Sequence, residues 1–124
     1  MQVERTIDAV ARVVTLTVSG DLGDAELLAL ADEVGEAPGL EPDFSLLIDL
    51  RQAQGQKVSS AGVYRLVERA LVLSPTSRRA VVVPSDLGFG MARMYEMLRT
   101  NRGGGPRVFR DYDEARRWVT TRAP

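Results

Sequence analysis

Two continuous apolar runs constrain the fold of this chain more than any other feature. In residues 44–50 (FSLLIDL) and 79–84 (RAVVVP), apolar side chains occupy successive positions and do not alternate with polar ones. A strand of this kind is typical of a sheet that is covered on both faces, as parallel sheets are. After each run, apolar residues recur every three or four positions, which indicates an amphipathic helix. The chain is therefore predicted to alternate strands and helices around a mainly parallel sheet with right-handed crossovers.

The segments before and after these runs complete the predicted order. Residues 3–8 and 11–19 resemble two strands of a hairpin, and residues 27–34 have helical spacing, with the helix expected to end near residues 35–39. A short strand is predicted at residues 108–109, and Asp111 with Glu114 matches a capping box that opens a last helix. We therefore expect one α/β domain over residues 1–124, a sandwich with a mainly parallel sheet of four to five strands, an antiparallel N-terminal edge strand and about four helices.

Composition excludes many kinds of site. The chain has no cysteine and no histidine, so it cannot build a zinc finger, an iron–sulfur site or a catalytic triad that uses either residue. Its 16 basic and 17 acidic residues leave a formal charge of −1, which provides no electrostatic footprint for DNA or an anionic membrane. No apolar stretch is long enough for a membrane helix or has the pattern of a signal peptide. These features predict a cytoplasmic, non-enzymatic protein without cofactor, nucleic-acid partner or stable membrane anchor.

The first candidate site lies where the strand at residues 44–50 is expected to end. Asp49 and Arg51 stand at this end, and polar residues 51–57 are predicted to form a loop that leads to Ser59 and Ser60. In open α/β sheets, ligands bind outside the carboxyl ends of strands, beside the helices that follow. Either serine could cap the next helix, or accept a phosphate that the same N–H groups and the helix dipole would stabilise.

The second candidate site follows the strand at residues 79–84. The residues concerned are Ser85, Asp86, Gly88, Gly90 and Arg93. The glycines suggest a phosphate-approach loop, although two glycines also permit close helix packing. Arg93 falls one turn into the helix and could turn back to meet Asp86, Asp49 or a bound anion, but a structural salt bridge is the favoured interpretation. Asp49 and Asp86 could also form a carboxylate pair for acid–base chemistry or magnesium, whereas Ser85 or Asp86 could simply cap the helix.

Several segments resemble a known family. The strand LLIDL, the polar stretch and VSSAG resemble the STAS domain of bacterial anti-sigma-factor antagonists, and residues 77–119 are similar to small SpoIIAA-like proteins of the STAS/SEC14 type. The similarity covers nearly the whole chain and implies a binding module. In antagonists, a partner anti-sigma kinase phosphorylates a serine at this helix start, a role that Ser59 or Ser60 would inherit by position. This sequence departs from the pattern because Val58 replaces an aspartate before the serine pair and Ala61 separates the pair from Gly62.

Three functional hypotheses follow. The first is a non-enzymatic regulatory module that docks a protein partner, such as an anti-sigma-type kinase or regulator, through the two serines and residues 85–93. The second is a SEC14-like domain that binds a small amphiphile, lipid or anion, with Gly88, Gly90 and Arg93 at the entrance. The third is an enzyme that uses acid–base groups from Asp49, Asp86, Tyr64 and Tyr95, but no pattern in the sequence brings these groups together. The edge strand of the hairpin could also support a homodimer.

Overall fold

A five-stranded sheet organises the chain in a computed structural model that describes residues 1–36, 43–69, 77–83, 86–100 and 106–121. The elements are β1 (Gln2–Asp8), β2 (Val13–Gly23), α1 (Asp24–Glu36), β3 (Ser45–Lys57), α2 (Ser60–Glu68), β4 (Arg79–Val82), α3 (Asp86–Thr100), β5 (Arg107–Phe109) and α4 (Tyr112–Thr120). The strands lie in the order β1-β2-β3-β4-β5. Only β1 and β2 are antiparallel, and the other pairs are parallel. The predicted architecture is therefore confirmed, including its antiparallel N-terminal edge.

The turn between β1 and β2 is held by one aspartate. The Asp8 Oδ1 atom accepts the backbone N–H groups of Val10 and Ala11 at 3.1 and 3.0 Å. Arg12 then takes a φ of 58°, in the left-handed region that tight turns use. This local chemistry closes the hairpin and sets the register in which Ile7 faces Val14 and Val3 faces Val18.

Both faces of the central strand β3 are covered. Leu46 belongs to an apolar cluster on the face that α1 covers with Leu30, whereas Leu47 packs on the opposite face with Ala115 and Val119 of α4. Leu46 and Leu47 are both buried, as expected for adjacent residues that point to opposite faces of a doubly covered strand. The helix α2 contacts both α1 and α3. The apolar run at residues 44–50 thus has the environment that its sequence predicted.

The predicted loop at residues 51–57 is wrong, because β3 continues through it to Lys57. The strand β2 is also longer than expected and supplies backbone partners to this polar half, with Gly20 opposite Ala53 and Gly23 opposite Lys57. Backbone pairing does not require apolar side chains, so polar residues can extend a ladder that a neighbouring strand already offers. As a result, Asp49 lies within β3 and not at its end, and β3 ends two residues before Ser59.

The two outer edges of the sheet differ. In the described part of the chain, β1 pairs only with β2 and leaves its other edge without a strand partner. At the opposite edge, Glu96 of α3 accepts the backbone N–H of Val108 in β5 at 2.7 Å through its Oε2 atom. A helix side chain therefore occupies a backbone donor that an additional strand would otherwise use.

A local hydrogen bond closes the C-terminus of α2. The helix α2 ends at Glu68, and the N–H of Arg69 closes it on the carbonyl of Leu66. In the sequence the apolar spacing of this helix continues to Ala70 and Leu71, which lie outside the described residues. Within the ranges given above, none of the helices combines the length and apolar character that a membrane span needs.

Candidate functional site

The N-terminus of α2 is built around Ser59. Its backbone is extended, with φ −109° and ψ 163°, and its Oγ atom accepts the N–H of Gly62 at 3.1 Å, as a helix N-cap does. The same hydroxyl donates to the Oδ2 atom of Asp24 at 2.5 Å, and the Ser59 backbone N–H donates to Oδ1 at 2.8 Å. Of the two serines that the sequence offered as a cap, Ser59 takes this role.

Asp24 is a residue of the candidate site that sequence reasoning missed. Asp24 is the first residue of α1, and by its position alone it is only a negative charge that interacts favourably with the helix dipole. In the structure its carboxylate is tied to Ser59 by two hydrogen bonds, and these bonds, that of the hydroxyl first, lower the pKa of Asp24. The resemblance to antagonists called for an acidic residue directly before the serines, where this chain has Val58. In this chain the carboxylate beside Ser59 comes from Asp24 of α1.

Gly62 leaves the space that Asp24 occupies. A Cβ atom on Gly62 would lie 2.0 Å from Asp24 Oδ1 and 2.3 Å from its Cγ atom, distances far inside van der Waals contact. The glycine in this helix is therefore explained by close approach of a side chain from α1. Asp24, Ser59 and Gly62 form one unit, which we call the Asp24–Ser59 clasp.

Ser60 differs from Ser59 in its exposure. It is the first residue of α2, its side chain is exposed, and the clasp lies beside it. The first N–H groups of a helix have no partner within the helix. Those of Ser60 and Ala61 have no protein acceptor in the part of the chain that the structure describes. An oxyanion placed at this end would meet both donors and the positive end of the helix dipole.

Asp49 and Arg51 form a second cluster, on the face of the sheet covered by α4. Asp49 is only 2% exposed, and Arg51 reaches it through Nε at 2.9 Å, Nη2 at 2.9 Å and the backbone N–H at 3.0 Å. The Arg51 guanidinium carbon also lies 4.3 Å from the centre of the Tyr112 ring. The hydrogen bond to Asp49 raises the pKa of Arg51. These contacts link β3 to the start of α4 and leave the Asp49 carboxylate already paired.

The predicted site around α3 is only partly described. Ser85 lies outside the described residues, and for Asp86 and Gly88 only the backbone of α3 is described. Gly90 faces open space, and Arg93 pairs with Glu96 on its own helix. The contact that the structure describes for Arg93 is thus a salt bridge to a residue three positions along α3.

Of the acid–base groups proposed for an enzyme, the structure describes the side chains of Asp49, Tyr64 and Tyr95, and it shows no hydrogen bond among these three. Asp49 is bound by Arg51 beside α4, whereas Tyr64 is exposed on α2 and Tyr95 belongs to α3. Burial raises the pKa of Tyr95, which makes its phenol a weaker acid. Among the residues that the structure describes, no three carboxylates gather as a set of metal ligands.

Comparison with known proteins gives a fold. No family model matches the chain, and no curated protein matches it. An uncharacterised protein of the DUF3478 family from Shewanella loihica, with a SpoIIAA-like fold, superposes with a TM-score of 0.60 at 16% identity, covering 95% of this chain and 92% of that one. The anti-sigma factor antagonist SpoIIAA in its unphosphorylated form superposes with a TM-score of 0.57 at 14% identity, covering 91% and 92%. The chain has a SpoIIAA-like fold.

The clasp of this SpoIIAA-like fold makes a testable contribution to acid stability. Because the folded state lowers the pKa of Asp24, the clasp stabilises the fold above the ordinary pKa of an aspartate and loses this effect as pH falls through the lowered value. Ser59→Ala removes the hydroxyl that contributes most. We expect the stability difference between this variant and the wild type to be largest near neutral pH and to narrow below about pH 4.

Urea unfolding from about pH 7 to about pH 3 measures this difference. Ser60→Ala is the matched control, because Ser60 is exposed and is not among the groups that shift the pKa of Asp24. A gap between Ser59→Ala and the wild type that stays constant across this range would contradict the assignment.

Proposed function

We propose that this chain is a non-enzymatic regulatory module that docks a protein partner at the N-terminus of α2 and is switched by phosphorylation of Ser60. One observation carries the proposal. Ser60 is exposed at the first position of α2, beside backbone N–H groups that lack an acceptor in the described residues. The partner is a protein kinase or regulator of the anti-sigma type.

The environment of Ser59 favours Ser60 as the acceptor. The Ser59 hydroxyl donates a hydrogen bond to Asp24 and accepts one from the N–H of Gly62. A kinase would therefore have to break the clasp before it could phosphorylate Ser59. A phosphate on Ser59 would also place a charge of about −2 against the Asp24 carboxylate, which disfavours it electrostatically. The Ser60 hydroxyl is not part of the clasp, so its modification does not break these hydrogen bonds. In this proposal the clasp fixes the start of α2 and thereby presents the Ser60 hydroxyl.

Phosphorylation of Ser60 would change the docking surface without unfolding the helix. The new dianion lies at the positive end of the α2 dipole, where it is stabilised, and it adds a charge of about −2 to this surface. A partner that packs closely on the unmodified helix end would then have to bury that charge without a cationic partner. The modification is therefore expected to release such a partner.

The experiment is the intact mass of the protein purified gently from its native host. We expect a covalent phosphate-sized increment in the wild type and in Ser59→Ala, and its loss in Ser60→Ala. An increment that persists in Ser60→Ala but disappears in Ser59→Ala would assign the acceptor to Ser59 instead. If no variant carries the increment when the host is sampled through growth and starvation, the phosphorylation switch fails.

Docking is tested separately from modification. Immobilised wild-type protein and Ser60→Asp are each exposed to lysate of the native host, and the bound proteins are compared. We expect a protein that the wild type retains and Ser60→Asp releases, with Arg5→Gln on β1 as a control for a charge change elsewhere. Equal capture by all three proteins would contradict a switch at α2. Two other hypotheses stay predictions: that the chain forms a homodimer, and that it binds a small amphiphile or anion at Gly88, Gly90 and Arg93.

A further inference from the structure

A groove with basic and aromatic walls lies far from the serines. It occupies 280 Å³ beside the amino-terminal ends of β4 and β5 and the carboxyl end of α4. The residues on its walls that matter here, called the basic–aromatic groove, are Arg78, Arg107, Phe109, Glu114, Arg117 and Trp118. Nothing in the SpoIIAA-like fold or in the proposed switch at α2 requires arginines at this place.

Aromatic rings order two of these arginines. The guanidinium carbon of Arg78 lies 5.0 Å from the centre of the Trp118 ring, and its Nη1 atom donates to the Trp118 carbonyl at 2.9 Å. The guanidinium carbon of Arg107 lies 5.1 Å from the Phe109 ring centre and 5.7 Å from that of Trp118. A guanidinium held near an aromatic ring does not spend its N–H donors on the ring, so those that are not otherwise bonded can meet the oxygens of an oxyanion. The groove is therefore partly preorganised for an anion.

The groove also has an excess of positive charge. Three arginines stand against one carboxylate, that of Glu114, and none of the three forms an ion pair within the described ranges of the chain. The carboxyl end of α4 accounts for Arg78, which binds the Trp118 carbonyl, and for Arg117, which lies in the last turn of that helix. It does not account for Arg107, which lies on β5 and is exposed. The formal excess of two positive charges matches a dianion.

The neighbouring sheet edge limits what can occupy the groove. An extended peptide would normally add to a free edge strand, but the N–H of Val108 in β5 is already taken by Glu96. A compact anion needs only side-chain donors, and a groove of 280 Å³ lies at the small end of ligand sites. The geometry points to a binding site for the dianionic phosphate of a small phosphate monoester, a function separate from the switch at Ser60.

Trp118 makes the site directly measurable, because it is the only tryptophan of the chain. Its fluorescence is followed while glycerol 3-phosphate is added at constant ionic strength. We expect a saturable change, weakened roughly tenfold or more in Arg107→Gln and unaltered in Arg5→Gln, which removes an arginine from β1. Arg107→Lys keeps the charge but loses the planar fork, so its binding should fall between those of the wild type and Arg107→Gln.

Protonation of the ligand provides a second test. The phosphate loses its second charge near pH 6, whereas sulfate stays dianionic and arginine stays charged. The affinity for glycerol 3-phosphate should therefore fall between about pH 7.5 and about pH 5, and that for sulfate should not. Linear titrations, equal changes on adding sodium chloride, or an Arg107→Gln variant that binds like the wild type would each overturn the proposal.

The same phosphate group also occurs in a lipid headgroup, and a further arm separates the two sources. Vesicles of phosphatidylcholine with and without phosphatidic acid are sedimented with the protein. Binding to phosphatidic acid that Arg107→Gln loses assigns the phosphate to a headgroup, whereas binding of glycerol 3-phosphate alone assigns it to a soluble monoester. If the wild-type protein binds neither glycerol 3-phosphate nor phosphatidic acid, the proposed phosphate site is wrong, and the test at Ser60 is unaffected.

Discussion

Gly62→Ala is expected to destabilise the protein by about 1–3 kcal/mol. This is the reverse of the usual effect, because alanine normally stabilises a helix relative to glycine. The added methyl group would overlap the Asp24 carboxylate, whose Oδ1 atom lies 2.0 Å from the Cβ position. Asp24 can avoid the overlap only by turning away, which breaks its two hydrogen bonds to Ser59. The cost of the substitution is therefore the loss of the clasp.

A double-mutant cycle isolates this cause. In an Asp24→Ala background the overlap no longer exists, and Gly62→Ala should then stabilise the helix by up to about 1 kcal/mol. The effect thus changes sign, which denaturant unfolding of the four proteins measures. Gly90→Ala is the control, because Gly90 lies in α3 with nothing within 4 Å of its Cβ position and should show the ordinary helix preference. Additive effects of the two substitutions would contradict the clasp.

Arg51→Met is expected to cost about 3 kcal/mol of stability, more than Asp49→Asn, the other substitution in the Asp49–Arg51 ion pair. The side chain of Asp49 is 3% exposed and that of Arg51 is 46% exposed. Loss of Arg51 leaves a buried carboxylate with one remaining donor, the backbone N–H of residue 51, whereas Asp49→Asn leaves a guanidinium that water can solvate. Asp49→Asn should therefore cost only about 1 kcal/mol.

Methionine keeps an apolar chain over Tyr112, so the comparison reports mainly on the charge. The double variant Asp49→Asn/Arg51→Met should recover most of the stability that Arg51→Met loses, because the unpaired carboxylate is gone. The midpoints of urea unfolding give all three values. Equal costs for the two single variants would show that the carboxylate is solvated, contrary to the geometry.

The elements that apolar spacing specifies were predictable, and those that backbone pairing specifies were not. The runs at residues 44–50 and 79–84 correctly predicted doubly covered strands, because burial on both faces requires apolar side chains at successive positions. The polar half of β3 gave no such signal, since it is held by the backbone of β2. Hydrogen bonds between backbones leave little trace in the identity of side chains.

The candidate site shows the same division. The helix cap at Ser59 was predictable from local chemistry, because a serine before an amphipathic helix satisfies its free N–H groups. Its partner Asp24 is 35 residues away, and no local pattern links the two. Asp49 and Arg51 were singled out for their position. Their bond to each other is local and follows from the continuation of β3 through both residues, whereas the contact of Arg51 with Tyr112 depends on how α4 packs.

The difference between the two sheet edges bears on how copies of the chain can associate. Growth of a fibre from stacked sheets needs two open edges on every molecule, one to receive and one to offer. Here Glu96 occupies the Val108 N–H at the β5 edge, while β1 keeps its outer backbone groups and carries the exposed charges of Glu4 and Arg5. If two copies associate through β1, the edge that stays outermost in the described sheet is β5, where Glu96 hinders the addition of a further strand. Such an association would favour a closed pair over a growing fibre.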